Sequence, residues 1–248
     1  MSDYAKQFRE HLDAATDGGK LRQWEAFRDM ADMGYCALAK PCQAPERRQA
    51  FEDRYMANAK RYKREQLDRF SAMLGTAALA LDANPADFLG TIYEEEGFCD
   101  QKYGGQFFTP ENVADMMARM IIGDGKDAEE SPPVITVSDP CCGSGRLLLA
   151  AARELEDRIA WFDATDLDQT CQHITYIQMA CAGIAGVVRH GNSLTTEVHD
   201  YAITPAGAKL LGGEGEASEY LRGRLAGKPS DDPEPSGDPE VVGQLALL

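Results

Sequence analysis

One stretch constrains this chain more than any other: Val134-Ile135-Thr136-Val137-Ser138-Asp139-Pro140-Cys141-Cys142-Gly143-Ser144-Gly145-Arg146-Leu147-Leu148-Leu149-Ala150. Its opening run is short, apolar and β-branched, the pattern of a buried parallel strand. A tight loop with Gly143 and Gly145 follows, then a helix carrying Leu147 to Leu155. Strand, glycine loop and helix in this order form a nucleotide-type binding turn. Glycine lets the backbone approach a ligand closely, and a helix N-terminus presents free N–H groups and a positive dipole end. The loop is neither GxGxxG nor a Walker A sequence, since no Lys-Ser/Thr pair follows, so phosphate is not the ligand it suggests.

Asp139-Pro140-Cys141-Cys142-Gly143-Ser144-Gly145 resembles the S-adenosylmethionine loop of adenine-N6 DNA methyltransferases, in particular the modification subunits of type I restriction systems. An ordinary glycine turn between strand and helix is the alternative for this segment alone. Two neighbours add to the resemblance. Gly105-Gln106-Phe107-Phe108-Thr109-Pro110 is similar to the family's first cofactor motif, which lies over the methionine end of the cofactor. The same residues also read as a capped helix start: a hydroxyl, a proline in the first turn and Glu111. Downstream, Trp161-Phe162-Asp163-Ala164-Thr165-Asp166 ends a second apolar segment in acids, with Asp166 placed 21 residues after Gly145. A carboxylate at the tip of a second strand is where the ribose hydroxyls of an adenosine ligand sit in a Rossmann-like site. A third strand, Val187–His190, leads to Gly191-Asn192. In the family an Asp or Asn here contacts the cofactor's adenine amino group; a plain turn is the equal alternative.

The resemblance implies an α/β fold. A helical N-terminal region, residues 1–100, precedes a Rossmann-like S-adenosylmethionine-dependent methyltransferase domain over residues 101–211, whose sheet is expected to be incomplete. An acidic, Pro/Gly-rich tail, 212–248, follows. The implied cofactor is S-adenosylmethionine, held by Gln106, Phe107, Phe108, Thr109, Asp139, Cys141, Gly143, Ser144, Gly145, Asp166 and Asn192. The implied reaction is DNA adenine-N6 methylation of the restriction–modification type. One element is missing. The family's catalytic signature, Asn-Pro-Pro followed by Phe or Tyr, is not found after Leu194. Its amide and backbone carbonyl accept hydrogen bonds from the adenine amine, and its aromatic stacks on the flipped base. Thr204-Pro205, after a weak fourth strand at Asp200–Ile203, stands in its expected place. The alternative is therefore a cofactor-binding, DNA-binding or partner-binding module that transfers nothing.

The N-terminal region carries apolar residues at helical spacing, with a long helix expected from Glu46 to Leu81 and another opening at Asp87. A net charge of −16 sits badly with direct DNA binding, which counterion release from phosphates drives. Residues 40–69 are the exception, with nine Lys/Arg against five Asp/Glu; Arg47, Arg48, Lys60, Arg61, Lys63 and Arg64 are the candidate DNA contacts, and a solvated helix face is the alternative. Seven cysteines without regular spacing suggest reduced thiols in a cytoplasm, and no Cys/His set has zinc spacing. No apolar run of about 18 residues suggests a membrane span. The resemblance implies a partner subunit or a homo-oligomer as further candidate partners. Residues 229–240 hold four prolines and five acids, which predicts an extended linker. Beyond it, Gln244-Leu245-Ala246-Leu247-Leu248 resembles the peptide with which bacterial replication proteins dock on the sliding clamp, so the clamp is a candidate partner; an apolar tail that folds back on the incomplete sheet, or a chance match, is the alternative.

Overall fold

A computed structural model describes residues 2–99, 108–122 and 132–226. Gln106, Phe107, the acidic linker and the clamp-like Gln244–Leu248 lie outside them. The N-terminal part is helical: α1 (Ser2–Ala15), α2 (Gln23–Ala39), α3 (Pro45–Ala59), α4 (Arg64–Ala83) and α5 (Phe88–Glu95), with a short 3-10 turn at Lys40–Cys42. Then come α6 (Glu111–Ile122), β1 (Ile135–Asp139), α7 (Arg146–Glu154), β2 (Ala160–Asp166), α8 (Gln169–Cys181), β3 (Gly186–Asn192), β4 (Glu197–Ile203), α9 (Pro205–Gly212) and α10 (Glu216–Leu225).

The long helix expected over 46–81 is two helices. Lys60 to Lys63 interrupt it because Tyr62 turns inward, its ring edge-on to Phe70 and its hydroxyl donating to Asp29. Gln66 Oε1 then accepts from Lys63 N at 3.1 Å and starts α4 afresh.

The sheet order is β1-β2-β3-β4. The first three strands are parallel; β4 is antiparallel to β3, with Val187 opposite Ile203 and Asn192 opposite Glu197. Side-chain alternation gives the sheet two buried faces. Val137, Phe162, Ala164 and Val188 face α7 and α8; Val134, Trp161 and Val187 face α9 and α10, where Leu221 closes the layer. The N-terminal helices do not form a separate core. Phe8, Phe27, Met30, Phe70, Phe88 and Leu89 share one cluster with Ile174 and Ile177 of α8. The boundary read near residue 100 is thus not a boundary in packing.

A polar seam joins the helices to the sheet. Arg47 and Arg54 each bind Asp200 on β4 at 3.1 Å, Tyr35 donates to the same carboxylate at 3.0 Å, and Arg54 also pairs with Asp32. Burial pushes His173, at the bottom of the seam, well below the usual imidazole range; Arg54 beside it adds to this.

Candidate functional site

The carboxyl ends of β1, β2 and β3 lie side by side and carry Asp139, Asp166 and Asn192. The β1–α7 loop crosses them. Gly143 and Gly145 both adopt positive φ, +54° and +86°. A Cβ on Gly143 would meet the Phe108 ring at 3.0 Å, and one on Gly145 would meet Thr175 at 3.0 Å. Both positions therefore need glycine for backbone conformation and for space.

The loop is held from below by one carboxylate that sequence reading took only as a helix start. Asp87 caps α5 by accepting from Gly90 N at 2.9 Å. It also accepts from Ser144 Oγ at 2.6 Å, Arg146 Nε at 2.7 Å and Gln178 Nε2 at 2.8 Å. Asp87, Ser144, Arg146 and Gln178 are all buried. Arg146 reaches on to the Thr109 carbonyl at 2.7 Å, so the same network positions the segment that begins at Phe108.

Two acids line the upper side. Asp166 accepts from Gly143 N at 2.7 Å and from Asp168 N at 2.8 Å, so it shapes the loop as well as ending β2. Burial raises its carboxyl above the usual range. Asp139 is more exceptional. It is 1% exposed; one oxygen accepts from Cys141 N at 3.1 Å, while Oδ2 is buried with no partner among the described residues. Burial pushes this carboxyl up to about 6, against the Cys141 N–H that pulls it down, and Asp166 adds its repulsion. A buried carboxylate oxygen without a donor is costly unless a cation or donor arrives.

The remaining expected site residues divide. Phe108 and Thr109 are half-buried beside the loop, and Cys141 is exposed on it. The Ser144 hydroxyl points down to Asp87 and anchors the loop. Asn192 ends β3, where Ser193 Oγ donates to the Pro140 carbonyl and ties strand to loop. Its side-chain oxygen accepts from Leu194 N at 3.0 Å and Thr195 N at 3.3 Å, which is the turn reading of this residue.

Thr204 and Pro205 lie apart from these residues. β4 runs back along β3, so Ile203 lies opposite Val187, at the amino end of the parallel strands. Thr204 is thus at the far end of the sheet from Asp139 and Asp166. It is fully buried, donating to Ile184 O at 2.8 Å and accepting from Gly186 N at 3.0 Å and Gly207 N at 3.1 Å. Its hydroxyl has no capacity left for a substrate. Pro205 is the first residue of α9, the ordinary place for a helix proline.

The candidate DNA contacts are also largely spoken for. Arg47 pairs with Asp200, Arg61 with Asp29, Lys63 with Asp17 and Arg64 with Asp68, while Arg48 donates to the carbonyls of Gln43 and Pro41. Such paired charges release few phosphate counterions. No group of three or more His, Cys, Asp or Glu able to hold a metal occurs among the described residues, and no helix among them is long and apolar enough to cross a membrane.

The family model described as N-6 DNA Methylase matches residues 84–208, which span α5 to α8, the Asp87 network, all four strands and the first half of α9. The chain belongs to the N-6 DNA methylase family. The type I restriction enzyme MpnII methylase subunit of Mycoplasma pneumoniae is 38% identical over 69 residues, 28% of this chain and 11% of that subunit. The match thus spans about a tenth of that relative's length. Among solved structures, a protein of Listeria monocytogenes described as a class I S-adenosylmethionine-dependent methyltransferase aligns with a TM-score of 0.45 and 14% identity, over 81% of this chain and 57% of that one. The type I restriction-modification methyltransferase subunit of Streptococcus thermophilus aligns with a TM-score of 0.38 and 22% identity, over 71% of this chain and 36% of that one.

Proposed function

We propose that this member of the N-6 DNA methylase family binds S-adenosylmethionine at the carboxyl ends of β1–β3, and that it is the cofactor-holding part of a DNA adenine-N6 methyltransferase of the restriction–modification type. The observation that carries this reading is Asp139 Oδ2, a buried, unpartnered carboxylate oxygen beside a glycine loop. S-adenosylmethionine carries an ammonium and a sulfonium, the cationic chemistry such an oxygen lacks, and when bound it supplies an activated methyl group. Asp139 would hold the cationic end and Asp166 the ribose hydroxyls. The Gly143–Gly145 backbone would approach the ligand, with Phe108, Thr109 and Cys141 at its border and Gln106 and Phe107 preceding them. Seven free cysteines agree with a cytoplasmic setting.

Calorimetry with S-adenosylmethionine is the direct test. Asp166→Ala is expected to weaken binding by roughly 1–3 kcal/mol, because ribose hydroxyls lose their acceptor. Unchanged affinity in that variant would remove Asp166 from the site. The pH dependence is a second test. Below about 6 the Asp139 carboxyl is protonated in the free protein, and a cation favours its ionised form, so binding there must expel a proton. Affinity is expected to fall through 6 on acidification from pH 7, approaching about tenfold per pH unit. Asp139→Asn should bind weakly with no such slope; a wild-type profile flat down to pH 5 contradicts the assignment.

The purified chain by itself is expected to transfer methyl groups to DNA adenine slowly or not at all. The supporting observation is Thr204, buried and at the wrong end of the sheet to accept from an adenine amine. Catalysis needs a positioned acceptor and a stacking aromatic, so a partner subunit would have to bring them. Rapid labelling of adenine by the isolated chain would refute this.

A further inference from the structure

Gly143 is the pivot of the β1–α7 turn. Without a Cβ it restrains the peptide units on either side only weakly, so partners must fix them. The unit before it is fixed by Asp166, which accepts from Gly143 N at 2.7 Å. The unit after it is fixed from α8, where Thr175 Oγ1 donates to the Gly143 carbonyl at 2.8 Å. Gly145 N closes the turn by donating to Cys142 O at 2.7 Å. Gly143 has positive φ and Ser144 does not, the pattern of a type II′ turn. Rotation of its central peptide, Gly143–Ser144, is what separates it from a type I′ turn.

Thr175 is fully buried in the middle of α8. A threonine hydroxyl inside a helix ordinarily turns back on the carbonyl four residues earlier. That of Thr175 reaches across to Gly143 instead. Cys142 Sγ lies 3.7 Å from the same oxygen. The side chain also fills the space beside the second glycine: a Cβ on Gly145 would come to 3.0 Å from Thr175 Cγ2 and 3.1 Å from Oγ1. One residue thus meets both glycines, the first through its hydroxyl and the second mainly through its methyl. Its neighbours Ile174 and Ile177 are packed among the N-terminal helices, so the support is anchored in the core.

We propose that Thr175 is a positioning residue for S-adenosylmethionine: through the Gly143 carbonyl it holds the turn in the conformer that keeps Gly143 N–H on Asp166. The inference rests on the reading of this turn as the cofactor site. Without the hydroxyl the Gly143–Ser144 peptide is free to rotate. Only a fraction of the molecules then presents the competent turn, and apparent affinity falls by that fraction.

The test compares two variants of the full chain. Thr175→Val keeps the shape and deletes the hydroxyl; Thr175→Ser keeps the hydroxyl and deletes the methyl beside Gly145. Calorimetry with S-adenosylmethionine is expected to show affinity roughly five- to tenfold weaker for Thr175→Val and within about twofold of wild type for Thr175→Ser. Thr204→Val, which also loses a buried hydroxyl, controls for stability alone and is expected to bind as wild type does. A residue that only stabilised the fold would give affinities that follow the melting temperatures, not the hydroxyl. Hydrogen exchange followed by NMR reads the turn without cofactor: the Gly143 amide is expected to exchange at least about fivefold faster in Thr175→Val than in wild type or Thr175→Ser. Thr175→Ala, which puts no methyl against the carbonyl, replaces the valine variant where that one does not fold. A wild type that binds no S-adenosylmethionine overturns the reading of the site, whereas unchanged Gly143 exchange overturns the part assigned to Thr175. Wild-type affinity in the hydroxyl-free variant, or equal losses in the serine and valine variants, overturns the proposal as well.

Discussion

Asp87→Ala is expected to destabilise the fold by roughly 3–5 kcal/mol, because it removes the nearer partner of a buried ion pair and leaves Arg146 only the longer contact to Glu94 at 3.4 Å. Arg146, Ser144, Gln178 and Gly90 N would all lose an acceptor at once. For a chain of this size the melting temperature should fall by roughly 6–20 °C. Because Arg146 also holds the Thr109 carbonyl, cofactor binding should weaken even in the fraction that remains folded. Calorimetric melts of wild type and variant decide this. A shift of only a degree or two would show that the four donors find other partners, and Asp87 would no longer be the support of the loop.

Thr204→Val separates a structural threonine from a catalytic one. The substitution keeps the shape and deletes the hydroxyl that caps α9 and joins Ile184 to Gly186. Loss of a cap costs roughly 0.5–2 kcal/mol and an orphaned buried N–H about 1–3, so a total of about 1.5–5 kcal/mol of stability is expected. Affinity for S-adenosylmethionine should stay within about twofold at temperatures where the variant is folded, since Thr204 sits at the other end of the strands from Asp139. A variant that melts normally yet loses methyl transfer in a complete complex would restore the catalytic reading of Thr204.

The parts of this molecule that could be read from residues are those with local causes. The β-branched run before Asp139, the two glycines and the leucines after Arg146 specify strand, turn and helix within seventeen residues. Asp168 was legible as a helix cap and accepts from Cys171 N at 2.9 Å. The direction of β4 had no clear signal in the residues, because strands read at Val187–His190 and Asp200–Ile203 leave nine residues between them. In the structure only four residues, Ser193–Thr196, join β3 to β4, and a parallel return needs a dozen or more. That loop length allows a hairpin and excludes the strand position a catalytic signature would require. Other features had no local signal. The basic run at residues 60–64 is visible as charge, but Asp29 and Asp17, which neutralise part of it, lie more than thirty residues away. The acceptor role of Asp87 is likewise written in residues 57 to 91 positions further on.

That last separation has a consequence for tracing this architecture through other genomes. Gly90 has no room for a Cβ, which would overlap both Ser144 and Asp87. Residues 87, 90, 144, 146 and 178 are therefore not free to vary one at a time. A larger residue at 90 demands a smaller one at 144, and an acid lost at 87 makes Arg146 a liability that drift should remove. Chains that share the supported loop should inherit Asp-x-x-Gly, Gly-Ser-Gly-Arg and a later helix glutamine as one set. Chains that replace the support should show the substitutions together, so that the interlocked positions, more than the glycine loop itself, mark common descent.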